Sequence, residues 1–334
     1  MKCERLPKHQ RNQSLESLLT EVNDSLGIVE KEEVKKYKNT KYPVVLIVGS
    51  ARSGSTLLMQ WLADTGSFAY PTNLMSRFYG APYIGAKIQL ILTKYDFNNE
   101  IFDFNEIVHF KSDLGKTKGA LAPNEFWYFW RRFFKFNEIQ KLDSSALKQI
   151  NKSLFISEIA AMEDVFQKPF AMKGLIANWH IPYLAEILEK VIFIYIKRHP
   201  LYQAQSLLEA RKNYYGDIND WYSFKPPEYD FLKDQNPYEQ IMGQIYYTNK
   251  AIEYGLAQID QSRYLYVDYE KFCQAPDEVY RLLFRKMNQQ GYNDYSTYCG
   301  LQRFDIANKI RLPNEEVEKL ITAYKKITNE EIES

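Results

Sequence analysis

The chain has 334 residues, enough for one large domain or two small ones. Its 43 basic and 42 acidic side chains nearly cancel, which argues against a general electrostatic grip on nucleic acid or an anionic membrane. No apolar run approaches the roughly 20 residues of a membrane helix, and Met1–Gln10 lacks the apolar core of a signal peptide.

Cys3, Cys273 and Cys299 lie far apart with no metal-ligand spacing, so the expected setting is reduced and cytoplasmic. Residues 1–41 are polar and charge-rich. Leu15, Leu18, Leu19 and Val22 predict one short amphipathic helix in what reads as a peripheral arm. Residues 42–334 then read as a single domain, without an internal repeat, a low-complexity tract or a linker sharp enough to split it.

Val44 to Val48 is an unbroken apolar, mostly β-branched run. It predicts a strand buried on both faces, as in a parallel sheet. Gly49 to Thr56 is small and polar, and Leu57, Leu58, Trp61 and Leu62 recur at helical spacing. Strand, glycine-bracketed loop and helix N-terminus in that order make an anion cradle. Free N–H groups and the positive end of a helix dipole converge on one spot. Gly49, Gly54 and Thr56 match the nucleotide-binding pattern G-x-x-x-x-G-K-[ST], but Ser55 stands where that pattern has its lysine. The missing lysine argues against ordinary triphosphate hydrolysis. The cation is Arg52 instead, which suits a shorter anion close to the strand end.

Asp64-Thr65-Gly66 stops the helix. Residues 67–82 read as loop, 83–95 as helix, and the glycine-bearing 111–123 as a flap over a site. The stretch 124–136 is crowded with aromatics. Asn124 is expected to cap a helix there. That helix is either buried or an acceptor wall, with Glu125, Arg131 and Arg132 offered to hydroxyls. A long helix is expected over 144–167, a short strand over 170–176 and a helix from His180. A second buried strand follows over 191–196, then a helix over 201–211. Residues 212–237 read as an acceptor-side loop. A helix over 237–259, a strand over 264–267 and helices over 276–287 and 314–327 complete the chain. The alternation predicts an α/β fold: a parallel sheet flanked by helices on both faces, its ligand at the strand ends.

The strand over 191–196 ends near Arg198. Pro200 suits a helix start, and Ser206 falls eight residues after the arginine, about two turns into that helix. A guanidinium fork matches a terminal phosphate, and a hydroxyl adds one donor.

Gly-Ser-Ala-Arg-Ser-Gly-Ser-Thr-Leu-Leu over 49–58 resembles the 5′-phosphosulfate loop of sulfotransferases that use 3′-phosphoadenosine 5′-phosphosulfate (PAPS). Arg198 and Ser206 resemble the same family's 3′-phosphate motif. The form is closer to the carbohydrate and tyrosyl branches, in a bacterial-type soluble version. The resemblance implies a P-loop-like sheet and sulfuryl transfer to a hydroxyl, that of a carbohydrate or glycolipid above all. It implies donor contacts from Ser50, Ala51, Arg52, Ser53, Gly54, Ser55, Thr56, Leu57, Arg198 and Ser206, and no metal.

His199 stands where the family usually has Asp, Asn or Glu. Tyr269-Glu270 resembles the family's late Tyr-Glu strand end. The C-terminal nucleotide clamp of the cytosolic branch is missing, with Arg303, Lys309 and Arg311 as substitutes. Lys173 resembles the strand lysine that precedes the 3′ motif. For the base that takes the acceptor proton, Glu125 and His180 both stand open, with Glu158 a weaker third. A lone histidine is more often structural than catalytic. Two other readings are a kinase-like phosphotransferase of the same fold and a non-catalytic nucleotide-binding module.

Overall fold

A computed structural model describes residues 5–98, 100, 112–113, 116–293 and 297–332. In chain order its elements are α1 (Gln13–Glu33), β1 (Val44–Val48), α2 (Ser55–Asp64), α3 (Pro82–Leu92), β2 (Ser112–Asp113), β3 (Lys116–Thr117), α4 (Trp127–Phe133), α5 (Ser144–Lys148) and α6 (Lys152–Phe166). Then come β4 (Ala171–Lys173), α7 (Ile181–Ile187), β5 (Val191–Lys197), α8 (Pro200–Tyr215), α9 (Tyr229–Leu232), α10 (Pro237–Leu256), β6 (Tyr264–Asp268), α11 (Tyr269–Gln274), α12 (Pro276–Gln289) and α13 (Asn314–Thr328).

The main sheet has the order β4-β1-β5-β6, and every pairing in it is parallel. Its two-residue period feeds two cores. Val44, Leu46, Val48, Phe193 and Tyr195 pack with α4, α6 and α7 on one face. Val45, Ile47, Ile192, Ile194 and Ile196 pack with α2, α11 and α12 on the other. All five residues of β1 are buried, as a strand covered on both faces requires. The expected α/β sheet is therefore present.

Three local expectations fail for identifiable reasons. The long helix over 144–167 is two helices, because Asn151 caps a new start by accepting from Leu154 N at 3.0 Å. The strand over 170–176 ends at Lys173, and a 3-10 turn over Leu175–Ala177 follows. Asn124 does not cap α4. It accepts from Phe126 N at 2.8 Å, and Phe126 adopts a left-handed φ of 55° before the helix begins.

The arm is more extensive than one short helix. α1 is 21 residues long and packs on α3. Its buried Glu30 accepts from Tyr83 N at 2.7 Å and Ile84 N at 3.1 Å, supplying a cap to α3, whose own flanking residue Ala81 supplies none. Of the expected flap, the ribbon β2–β3 is described, while residues 111 and 114–115 lie outside the described residues. No helix among the described residues is long and apolar enough to cross a membrane.

Candidate active site

β1 and β5 are neighbours, and their carboxyl ends carry the two predicted motifs. Gly49 follows β1. A Cβ there would meet the Ile196 carbonyl and Ser53 Oγ at 2.8 Å each, so only glycine fits. Asn178 clamps this residue from both sides, donating to its carbonyl at 2.9 Å and accepting from its N–H at 3.3 Å. Gln203, from α8, holds the next turn by donating to Ser50 Oγ at 2.5 Å and to the Ala51 carbonyl at 2.6 Å. Arg52 and Gly54 take left-handed φ values of 67° and 98°. Gly54 caps α2 without a side chain, so the first amides of that helix, at Ser55, Thr56 and Leu57, have no side-chain cap. Ser53 Oγ is buried without a partner. A loop held this rigidly, with donors left over, is built for an anion.

The two motifs touch. Arg52 Nε donates to Ser206 Oγ at 2.9 Å, and Arg198 donates to the Arg52 carbonyl at 3.4 Å. Arg198 lies over the Tyr269 ring at 4.7 Å and donates to Asn308 Oδ1 at 3.0 Å and the Ala307 carbonyl at 2.6 Å. Burial lowers the pKa of its guanidinium. His199, where the resemblance leads one to expect an acidic residue or Asn, caps α8 with its ring: Nδ1 accepts from Leu201 N at 3.3 Å. Glu270 ties the pieces together, accepting from His199 N at 3.2 Å and Asn308 Nδ2 at 2.6 Å.

Lys173, at the end of β4, is almost wholly buried. Its Nζ donates to Thr56 Oγ1 at 2.8 Å and Glu125 Oε1 at 3.0 Å. The loop, Lys173 and Glu125 are thus one polar constellation. The loop and Glu125 border a cleft of about 780 Å³ lined also by Arg198, Tyr269, Trp127, Tyr128, Tyr214 and Tyr222, and Lys173 is buried behind them.

Two base candidates lie elsewhere. His180 is buried, stacked on Phe134, with Nε2 accepting from Leu142 N at 3.1 Å. Burial lowers its pKa to about 4, so it is neutral at pH 7. Glu158 is buried and grips Arg132 through both oxygens at 2.8 and 2.9 Å. Arg131 donates to the Phe136 carbonyl, so neither arginine is offered to an acceptor. Of α4, Trp127 and Tyr128 line the cleft, while Phe129, Trp130 and Phe133 belong to the core. Arg311 is held by Glu209 through two bonds of 2.7 Å, and Lys309 contributes its carbonyl to Gln205. The C-terminal cover over Arg198 comes instead from Ala307 and Asn308. These two residues, with Asn178 and Gln203, carry no charge and match no spacing that would single them out in the sequence.

A family model described as the sulfotransferase family matches residues 43–294. The chain belongs to that family. Among solved structures, this sulfotransferase is similar to STF9 from Mycobacterium avium, with a TM-score of 0.55 and 13% identity over 99% of this chain and 88% of that one. It is also similar to STF1 from Mycobacterium tuberculosis H37Rv, with a TM-score of 0.53 and 11% identity over 90% and 81% of the two chains. At such identities the likeness speaks for the fold alone. No curated protein matches the sequence. Membership of the family and the shared fold make this sulfotransferase an enzyme of the sulfuryl-transferring type.

Proposed function

We propose that this sulfotransferase takes its sulfuryl group from PAPS and delivers it to a hydroxyl of a carbohydrate or glycolipid acceptor. The observation that carries the donor assignment is the contact between the motifs: Arg52 on Ser206 and Arg198 on the Arg52 carbonyl. One nucleotide with anionic groups at both ends can meet both arginines. The unpartnered Ser53 Oγ and the uncapped amides of α2 suit its 5′ end, and Arg198 and Ser206 its 3′-phosphate.

When bound, PAPS supplies an electrophilic sulfur and adenosine 3′,5′-bisphosphate as leaving group. The chain's part is to hold, orient and neutralise. Glu125, half exposed beside the cleft, accepts the proton of the attacking hydroxyl as its oxygen bonds to sulfur. Lys173 and the amides of Gly54 to Thr56 face the charge that builds on the bridging oxygen as its bond to sulfur breaks, the Ser53 amide being taken by the Ser50 carbonyl. Donors already fixed in place stabilise that charge with little reorganisation. Arg52 braces the loop against Ser206. The aromatic rings of the cleft suit the apolar faces of a sugar.

The test is transfer of labelled sulfuryl from PAPS to a panel of sugars without magnesium, with a thermal-shift screen alongside. Adenosine 3′,5′-bisphosphate should raise the melting temperature more than ADP or ATP does, since stabilisation follows ligand concentration over Kd. A preference for ATP together with a need for magnesium would favour a kinase-like reaction. Stabilisation without transfer to any acceptor would favour a binding module.

A further inference from the structure

We propose that the acceptor carries an anionic group, carboxylate or phosphate, which docks on Arg5 and Lys116 while the sugar hydroxyl lies at Glu125. This deepens, and rests on, the PAPS-dependent reading above. The path runs along two rings. Tyr222 lines the same cleft as Arg52 and Glu125, and its ring is 4.9 Å from that of Tyr214. Beyond Tyr214 the cleft becomes cationic. The Arg5 guanidinium is 6.0 Å and the Lys116 ammonium 5.3 Å from the Tyr214 ring centre. Arg5 is brought there by the arm, which is pinned to the end of α8 by Leu6 N donating to the Tyr214 carbonyl at 2.9 Å. Lys116 comes from the other side, on β3.

Among the described side chains no carboxylate pairs with Arg5 or Lys116. The nearby Glu16 is 3.9 Å from Arg11, and both its oxygens accept from the Tyr128 hydroxyl at 2.9 and 2.8 Å. Two exposed cations over an aromatic ring gain little from that ring. They can still attract and orient an anion. The donor's own anions have Arg52, Arg198, Lys173 and the loop amides, so the second cationic group falls to the acceptor.

The experiment measures Kd by titration calorimetry on the full chain saturated with adenosine 3′,5′-bisphosphate. The ligands are methyl glucoside, methyl glucuronide and glucose 6-phosphate. At least one acidic sugar should bind about tenfold or more tightly than the neutral one. The double variant Arg5→Gln/Lys116→Gln should lose that advantage while keeping the melting-temperature rise given by adenosine 3′,5′-bisphosphate. The two acids separate carboxylate from phosphate as the group recognised. Equal affinities, no binding of either acid, or an advantage that survives in the variant would each overturn the proposal. Failure of adenosine 3′,5′-bisphosphate to stabilise the wild type would instead strike the donor assignment.

Discussion

Arg52 Nε and Ser206 Oγ lie 2.9 Å apart although 154 residues separate them in the chain. This contact joins the loop after β1 to the helix after β5, the two halves of the proposed donor site. Arg52→Ala should lower kcat/KM at least about tenfold, or more than 1.4 kcal/mol of barrier. Because the two residues share one hydrogen bond, the losses in Arg52→Ala and Ser206→Ala should not add. A double-mutant cycle on initial rates should return a coupling of about 0.5 kcal/mol or more. Strict additivity would mean that the contact is idle.

Gly54 combines a φ of 98° with a crowded side: an added Cβ would lie 2.4 Å from the Tyr269 ring. Gly54→Ala should therefore cost stability beyond the roughly 1–2 kcal/mol of left-handed backbone strain. It should also weaken binding of adenosine 3′,5′-bisphosphate, since the ring it displaces lies under Arg198. Urea unfolding and calorimetry would show the two effects. Restored stability in Gly54→Ala/Tyr269→Ala would assign the excess cost to the clash.

Glu125 and His180 predict opposite phenotypes. Glu125→Gln should lower kcat about a hundredfold or more and remove the base-dependent limb of the pH–rate profile. It should leave the thermal shift with adenosine 3′,5′-bisphosphate intact. His180→Ala removes the acceptor for the buried Leu142 N–H. It should cost about 1–3 kcal/mol in stability with little change in kcat.

The same histidine and Glu30 give pH dependences of opposite sign. Burial holds the His180 pKa at about 4, below its ordinary 6.5, so its contribution is present above pH 6.5 and is lost as pH falls toward 4. Burial raises the Glu30 carboxyl from 4.5 to about 7 despite its two amide donors. Its contribution is complete below pH 4.5 and is lost as pH rises through 7. Glu30→Gln should flatten that second decline, by something on the order of 1–3 kcal/mol between pH 5 and 7.5. Denaturant midpoints for both proteins at the two pH values would measure it. Parallel pH profiles would mean that Glu30 does not titrate in this range.

The sheet and both motifs were legible in the sequence because their signals are local. β1 and β5 are apolar runs too uniform for a half-exposed strand, and Gly49, Gly54 and the Arg198–Ser206 spacing are short-range patterns. What escaped is long-range. Asn178 and Gln203 hold the loop through amides that resemble any other Asn or Gln in a sequence. The arm's Arg5 reaches the cleft only because the chain from Leu6 is tied to Tyr214. His180 was ambiguous for the opposite reason: an imidazole is a fitting base on its chemistry alone, while its burial against Phe134 depends on how the segments around α4 and α7 pack.

Arg198 is steadied by the Ala307 carbonyl and Asn308, beyond residue 294 where the family match stops. During translation, therefore, the loop and α8 emerge long before Ala307 and Asn308. A chain that has not yet reached residue 308 lacks two of the partners of Arg198 and can hold the guanidinium only through the Arg52 carbonyl and the Tyr269 ring.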